Sequence, residues 1–139
     1  MTGILLDTNV VSELTRDAAD PGVLVFLAEH DDLWLSTVVL HELDYGVGLL
    51  PSGRRRDAIS SALEAFAAKY EDRILPVGRP EAAEAATLRV LARRSGRVLD
   101  LGDALIAGTA GANDLSVATR NVRDFEGLGL AVVNPWNPP

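Results

Sequence analysis

Short apolar runs alternate along the chain with stretches of helical periodicity. Gly3-Ile4-Leu5-Leu6-Asp7 is an apolar run that ends in a carboxylate and predicts a buried parallel strand. Helical spacing follows over Thr8–Thr15, with Val10, Val11 and Leu14 on one face. Asp20-Pro21 supplies a cap and a first-turn proline for a second helix to about His30. Leu33–Ser36 predicts the second strand, and Val38–Leu49 a helix with Val39, Leu40, Leu43 and Val47 as its apolar stripe. Pro51-Ser52-Gly53 breaks the chain before a helix from about Arg55 to Tyr70 that turns Ile59, Leu63 and Phe66 inward. Ile74–Val77 is a weak third strand, and Pro76 suits an edge or a strand end. Helices over Pro80–Arg94 and Asp103–Asn113 follow, with Leu105, Ile106 and Ala110 as buried candidates in the second. Strands over Leu115–Thr119 and Leu130–Val133 come last, before the closing Asn134–Pro139. Strands alternating with helices predict an α/β fold, a mostly parallel central sheet covered on both faces in a three-layer α/β/α sandwich. Ligands of such sheets gather outside the carboxyl ends of the strands.

That edge of the sheet is where the acids fall. Asp7 ends the first strand. Glu42 lies in the helix after the second strand, Asp103 opens the helix before the fourth, and Asp124 sits five residues past that strand. Each has a local alternative. Asp7 would cap the helix it precedes. Asp100 and Asp103 have the spacing of a capping pair, which makes Asp100 the expected cap and frees Asp103. Glu42 alone reads as a surface acid, and Asp124 could cap a turn ending at Phe125. Gathered at one edge, several carboxylates cannot all stay ionised in a water-poor pocket without a counterion. An all-oxygen donor set selects a hard ion, Mg²⁺ or Mn²⁺. Such an ion activates water for phosphodiester hydrolysis. Thr8, Asn9, Thr119 and Asn121 stand beside the acids, as orienting groups or as partners of strand-end backbone. His41-Glu42 is not a zinc-protease motif, because Tyr45 occupies the place of its second histidine.

Composition narrows the choice. The 139 residues show no compositional break and predict a single domain, residues 1–139. Cysteine is absent, which removes disulfides and thiolate sites and fits a reducing cytoplasm. No apolar run reaches the length of a membrane span, and Met1–Leu6 lacks the pattern of a signal peptide. The net charge of −7 argues mildly against a polyanion partner. However, twelve of the thirteen basic residues are arginine, clustered at Arg54–Arg56, at Arg93, Arg94 and Arg97, and at Arg120 and Arg123. Arginine is the better phosphate fork, although each cluster would also serve as a solvated helix end.

Four segments together resemble the PIN domains, specifically the VapC-type toxin ribonucleases of toxin–antitoxin modules. They are Ile4–Ser12 with Asp7, Ser36–Gly46 with Glu42, Gly102–Ala110 with Asp103, and Thr119–Glu126 with Asp124. The closing Val132-Val133-Asn134-Pro135-Trp136 is similar to the usual ending, so the likeness runs over residues 3–136. The resemblance implies a magnesium- or manganese-dependent endoribonuclease, homodimerisation, and a cognate VapB-type antitoxin that often inserts an arginine-bearing tail into the acid pocket. It assigns metal binding to Asp7 and Asp103, with Glu42 and Asp124 completing the pocket. Two other classes compete. A phospho-acceptor receiver needs a lysine near the end of a late strand, and the only lysine, Lys69, lies on a middle helix. A non-catalytic interaction protein would keep the fold and bind no metal. The RNA target is not legible in the chain.

Overall fold

The computed structural model describes residues 3–136; the last three residues of the closing segment, Asn137–Pro139, lie outside it. Five strands form: β1 (Ile4–Leu6), β2 (Leu33–Ser36), β3 (Ile74–Leu75), β4 (Ser116–Ala118) and β5 (Val132–Val133). They form one sheet in the order β3-β2-β1-β4-β5, with every neighbouring pair parallel. β1 is central, with Ile4 opposite both Leu33 and Ser116. Leu5, Leu6, Leu33, Leu35 and Val117 are fully buried, as expected of parallel strands covered on both faces. The strand expected at Ile74–Val77 is a two-residue edge strand, cut short by Pro76.

Six helices connect the strands: α1 (Thr8–Glu13), α2 (Pro21–Glu29), α3 (Thr37–Gly48), α4 (Arg54–Lys69), α5 (Arg79–Arg94) and α6 (Leu101–Ala112). The chain moves outward from β1 to β3, then crosses back to β4 and β5. With right-handed crossovers, this reversal divides the helices between the two faces. α6 carries the densest helical packing, with Ala104, Ile106, Ala107, Thr109 and Ala110 fully buried and Leu105 half-buried. It lies so close to α5 that a Cβ on Gly108 would sit 2.6 Å from the Ala85 nitrogen and the Glu81 carbonyl oxygen. α4 is the loosest cover. Its expected inward residues Ile59, Leu63 and Phe66 are half-buried, and no residue of α4 is fully buried.

The start of α6 differs from expectation. α6 begins at Leu101, so Asp103 lies within its first turn and does not open it. Asp100 stands at the cap position, but its side chain makes no capping hydrogen bond. The Asp100 carboxylate faces the pocket beside Asp103.

Candidate active site

The strand order reverses at β1 and β4, and the carboxyl ends of these two strands lie side by side. This is the switch point at which doubly wound sheets bind ligands. Asp7 follows β1 directly, and its backbone N–H donates to the Ala118 carbonyl at 2.9 Å, locking it against β4. Its side chain has two tasks. Oδ1 caps α1 by accepting from the Thr8 N–H at 2.8 Å. Oδ2 accepts from the Thr119 hydroxyl at 2.7 Å and from Asn9 Nδ2 at 3.3 Å. The cap and the site are therefore the same residue. Thr119 is itself fully buried and accepts from the Asn121 N–H at 3.0 Å, while Asn9 Oδ1 accepts from the Arg120 N–H at 3.2 Å. The four polar neighbours expected beside the acids thus form a web that fixes Asp7 and ties it to the loop after β4.

The other acids arrive from three directions. Glu42 projects from α3, and its Oε1 accepts from the Thr8 hydroxyl. Its Oε2 lies where a side chain at position 102 would begin: a Cβ on Gly102 would stand 2.7 Å from it. The glycine before Asp103 is therefore the space that admits Glu42 to the first turn of α6. Asp124 is exposed on a 3₁₀ turn, Val122–Phe125, anchored by the buried Phe125. A pocket of about 270 Å³ opens between Asp103 and Asp124, with Asp100, Arg97, Val98 and Leu99 in its wall.

The electrostatics follow from this crowding. Burial raises the Asp7 carboxyl above its ordinary value. The Thr119 and Thr8 hydrogen bonds oppose that rise, and the charges of Glu42 and Asp124 add to it. Asp103 is pushed up to about 7, first by burial, then by the charges of Asp7, Asp124, Asp100 and Glu42. The structure thus brings all four expected acids into one mutually repelling set, and Asp100 joins them. Arg97 was not singled out as a site residue by sequence, only as part of a charge cluster. Its NH1 donates to the Arg123 carbonyl at 2.7 Å, and its NH2 to the Glu126 carbonyl, so it clamps the turn that carries Asp124.

A hard divalent ion fits this donor set. All the ligand atoms are oxygens, and their charges raise one another's affinity for a positive partner. Among the described residues, no three acids or histidines already converge on one ligand point. Magnesium needs no such cage, since it binds through one or two carboxylates and keeps several waters.

The PIN domain model matches residues 4–129 of this chain. The chain is 37% identical to the VapC ribonuclease Y4jK of Sinorhizobium fredii, over 97% of this chain and 99% of that protein. It is also 37% identical to the toxin FitB of Neisseria gonorrhoeae, over 96% of this chain and 99% of FitB. Its fold superposes on a chain of the FitAB structure bound to an IR36 DNA fragment with a TM-score of 0.92. The sequence identity there is 34%, over 98% of this chain and 97% of that one. The chain belongs to the PIN domain family, among its VapC- and FitB-type members.

Proposed function

We propose that this protein is a divalent-metal-dependent endoribonuclease and the toxin of a toxin–antitoxin pair. The observation that carries the proposal is the gathering of Asp7, Glu42, Asp103 and Asp124 at the β1/β4 switch point, where burial and then the neighbouring charges push the Asp103 carboxyl up to about 7. The ribonuclease names of relatives that match end to end support the substrate class.

Asp7 and Asp103 would hold Mg²⁺ or Mn²⁺, with Glu42 and Asp124 completing the pocket. When bound, the ion supplies a water acidified toward neutral pH and a positive charge against the phosphate. The chain's own residues do the rest. The Thr8 N–H holds Asp7 Oδ1, and Thr119 and Asn9 hold Oδ2, so the carboxylate is fixed in place before any ion arrives. Thr8 and the gap at Gly102 orient Glu42 toward Asp103. The pocket between Asp103 and Asp124 offers carboxylates and no histidine or lysine, so a carboxylate would be the group placed to take a proton from an attacking water. Asp124, exposed on its turn, also has access to solvent for releasing that proton.

The partners belong to the same proposal. Solved relatives include FitAB and VapBC complexes, some of them on DNA. An apolar groove walled by Leu43, Val47, Leu50, Ile59 and Leu63 runs to Thr8 and Glu42, and would seat an antitoxin segment beside the acids. Exposed Tyr45 on α3 and Leu49 at its C-cap are apolar surface for a second copy, in keeping with a homodimer. No described helix is long and apolar enough to cross a membrane, and RNA as substrate implies the cytoplasm.

The test is cleavage of RNA by purified protein. Activity should require Mg²⁺ or Mn²⁺ and vanish in Asp7→Asn and in Asp103→Asn. Expression of the wild type, but not of Asp7→Asn, should arrest growth. Cleavage that survives EDTA, or that Asp7→Asn retains, would overturn the proposal.

A further inference from the structure

The inner face of α5 is Ala85, Leu88 and Ala92, all buried against α6. The flank and outer side of α5 are different. Arg89, Val90, Arg93 and Arg94 project from them, and with Arg97 and Val98 they line an open groove of about 470 Å³. That groove shares Arg97, Val98 and Leu99 with the pocket that holds Asp103 and Asp124. The basic groove and the acid pocket therefore adjoin across the Arg97–Leu99 segment.

The cations in this groove are not neutralised. Among the described residues, the salt bridges are Arg16 with Glu13 and Arg73 with Asp32, and neither involves this cluster. Most arginines of this chain lack an acidic partner among the described residues, and this run differs in lining one groove beside the acid pocket. The negative end of the α5 dipole accounts for Arg93 and Arg94, which lie in the last turn. It does not account for Arg89, one turn earlier, or for the continuity with the acids. Unpaired arginines in a groove suit a ligand with spaced, fork-shaped anions, and the phosphates of a nucleic-acid backbone are that ligand.

We propose that the outer face of α5 is a phosphate track that leads single-stranded RNA into the acid pocket, with Arg89, Arg93 and Arg94 as its phosphate contacts. This rests on the ribonuclease reading and adds to it the surface that holds the substrate. Arg97 is excluded from the contact set, because its guanidinium is committed to the Arg123 and Glu126 carbonyls. A track of this kind reads backbone and not bases, so it supplies affinity and direction without sequence preference.

The experiment separates binding from cleavage. Binding of a fluorescein-labelled single-stranded RNA oligonucleotide is followed by anisotropy in EDTA, using Asp7→Asn protein so that no cleavage intervenes. Replacing Arg89, Arg93 and Arg94 together by alanine should weaken binding at least about tenfold. It should also lower the slope of log affinity against log salt by about 2, since each phosphate contact on a single strand contributes roughly 0.7. In otherwise wild-type protein with metal, the same triple variant should raise KM and leave kcat within about twofold, the pattern of a lost substrate contact remote from the reacting bond. Unchanged affinity and salt slope would overturn the track. So would a change in sedimentation of the triple variant, which would mark α5 as a self-association face. If wild-type protein binds RNA through these arginines but never cleaves it, the nuclease reading fails and the track stands.

Discussion

Replacing Asp103 by asparagine should make the metal-free protein more stable while abolishing its activity. The carboxyl of Asp103 is raised from 3.8 to about 7 by burial and by the charges of Asp7, Asp124, Asp100 and Glu42. A shift of that size corresponds to about 4 kcal/mol at roughly 1.4 kcal/mol per pH unit. Asp103 is half in water, and solvent screening reduces the figure to about 1–2 kcal/mol. The sign follows from where the proton sits. Between pH 3.8 and about 7, the folded chain keeps Asp103 protonated while the unfolded chain has lost that proton, so stability falls as pH rises through this window. Asparagine stays neutral throughout and is free of this loss. Urea denaturation in EDTA should therefore show a gap between variant and wild type that is near zero at about pH 4 and complete above about pH 7. At pH 8 the gain should raise Tm by roughly 3–8 °C. Added Mg²⁺ should close the gap by stabilising the wild type alone. A variant no more stable than wild type at pH 8, or a gap independent of pH, would show that Asp103 does not carry the repulsion assigned to it.

Other substitutions probe the supports of the site. Thr119→Val removes the donor to Asp7 Oδ2 and the acceptor of the Asn121 N–H. It should cost about 1–3 kcal/mol in denaturant melts and move the acid limb of the pH–rate profile upward, because Asp7 loses a bond that lowers its pKa. Arg97→Ala should lower kcat more than it raises KM and should speed hydrogen exchange at the Asp124 and Glu126 amides; Arg97→Lys should not restore either, since an ammonium cannot fork to two carbonyls. Gly108→Ala drives a methyl into the α5 backbone 2.6 Å away, and the resulting overpacking of about 1–3 kcal/mol should exceed the roughly 1 kcal/mol that alanine gains in helix propensity, lowering the melting temperature.

Much of this architecture is written locally in the chain. The unbroken apolar runs at Ile4–Leu6 and Leu33–Ser36 are legible as strands because parallel strands are buried on both faces. Pro76 marks the edge because it cannot donate to a ladder. Asp7 is visible because it terminates such a run. Asp100 takes the cap position that its spacing predicts, but spacing does not say where its side chain goes, and it lines the pocket without making a capping bond. The clamp of Arg97 on the Asp124 turn joins residues 26 and 29 positions apart through backbone carbonyls, which leave no trace in the identity of Arg123 or Glu126. Gly102 looks like a helix-start glycine, and only the arrival of Glu42 from α3 shows what its missing side chain is for.

The strand order has a consequence in time. β4 inserts beside β1, so the second edge of the central strand stays unpaired until Ser116–Ala118 has been made. A chain grown only to Leu115 already contains Asp7, Glu42 and Asp103, but it lacks Thr119 to hold Asp7 and the turn that presents Asp124. Synthesis proceeds from the N-terminus, and folding follows it. The acid pocket is therefore completed only by the last part of the chain to be made: until β4 pairs, Asp7 stands without its Thr119 partner and the Asp124 turn has no strand to follow.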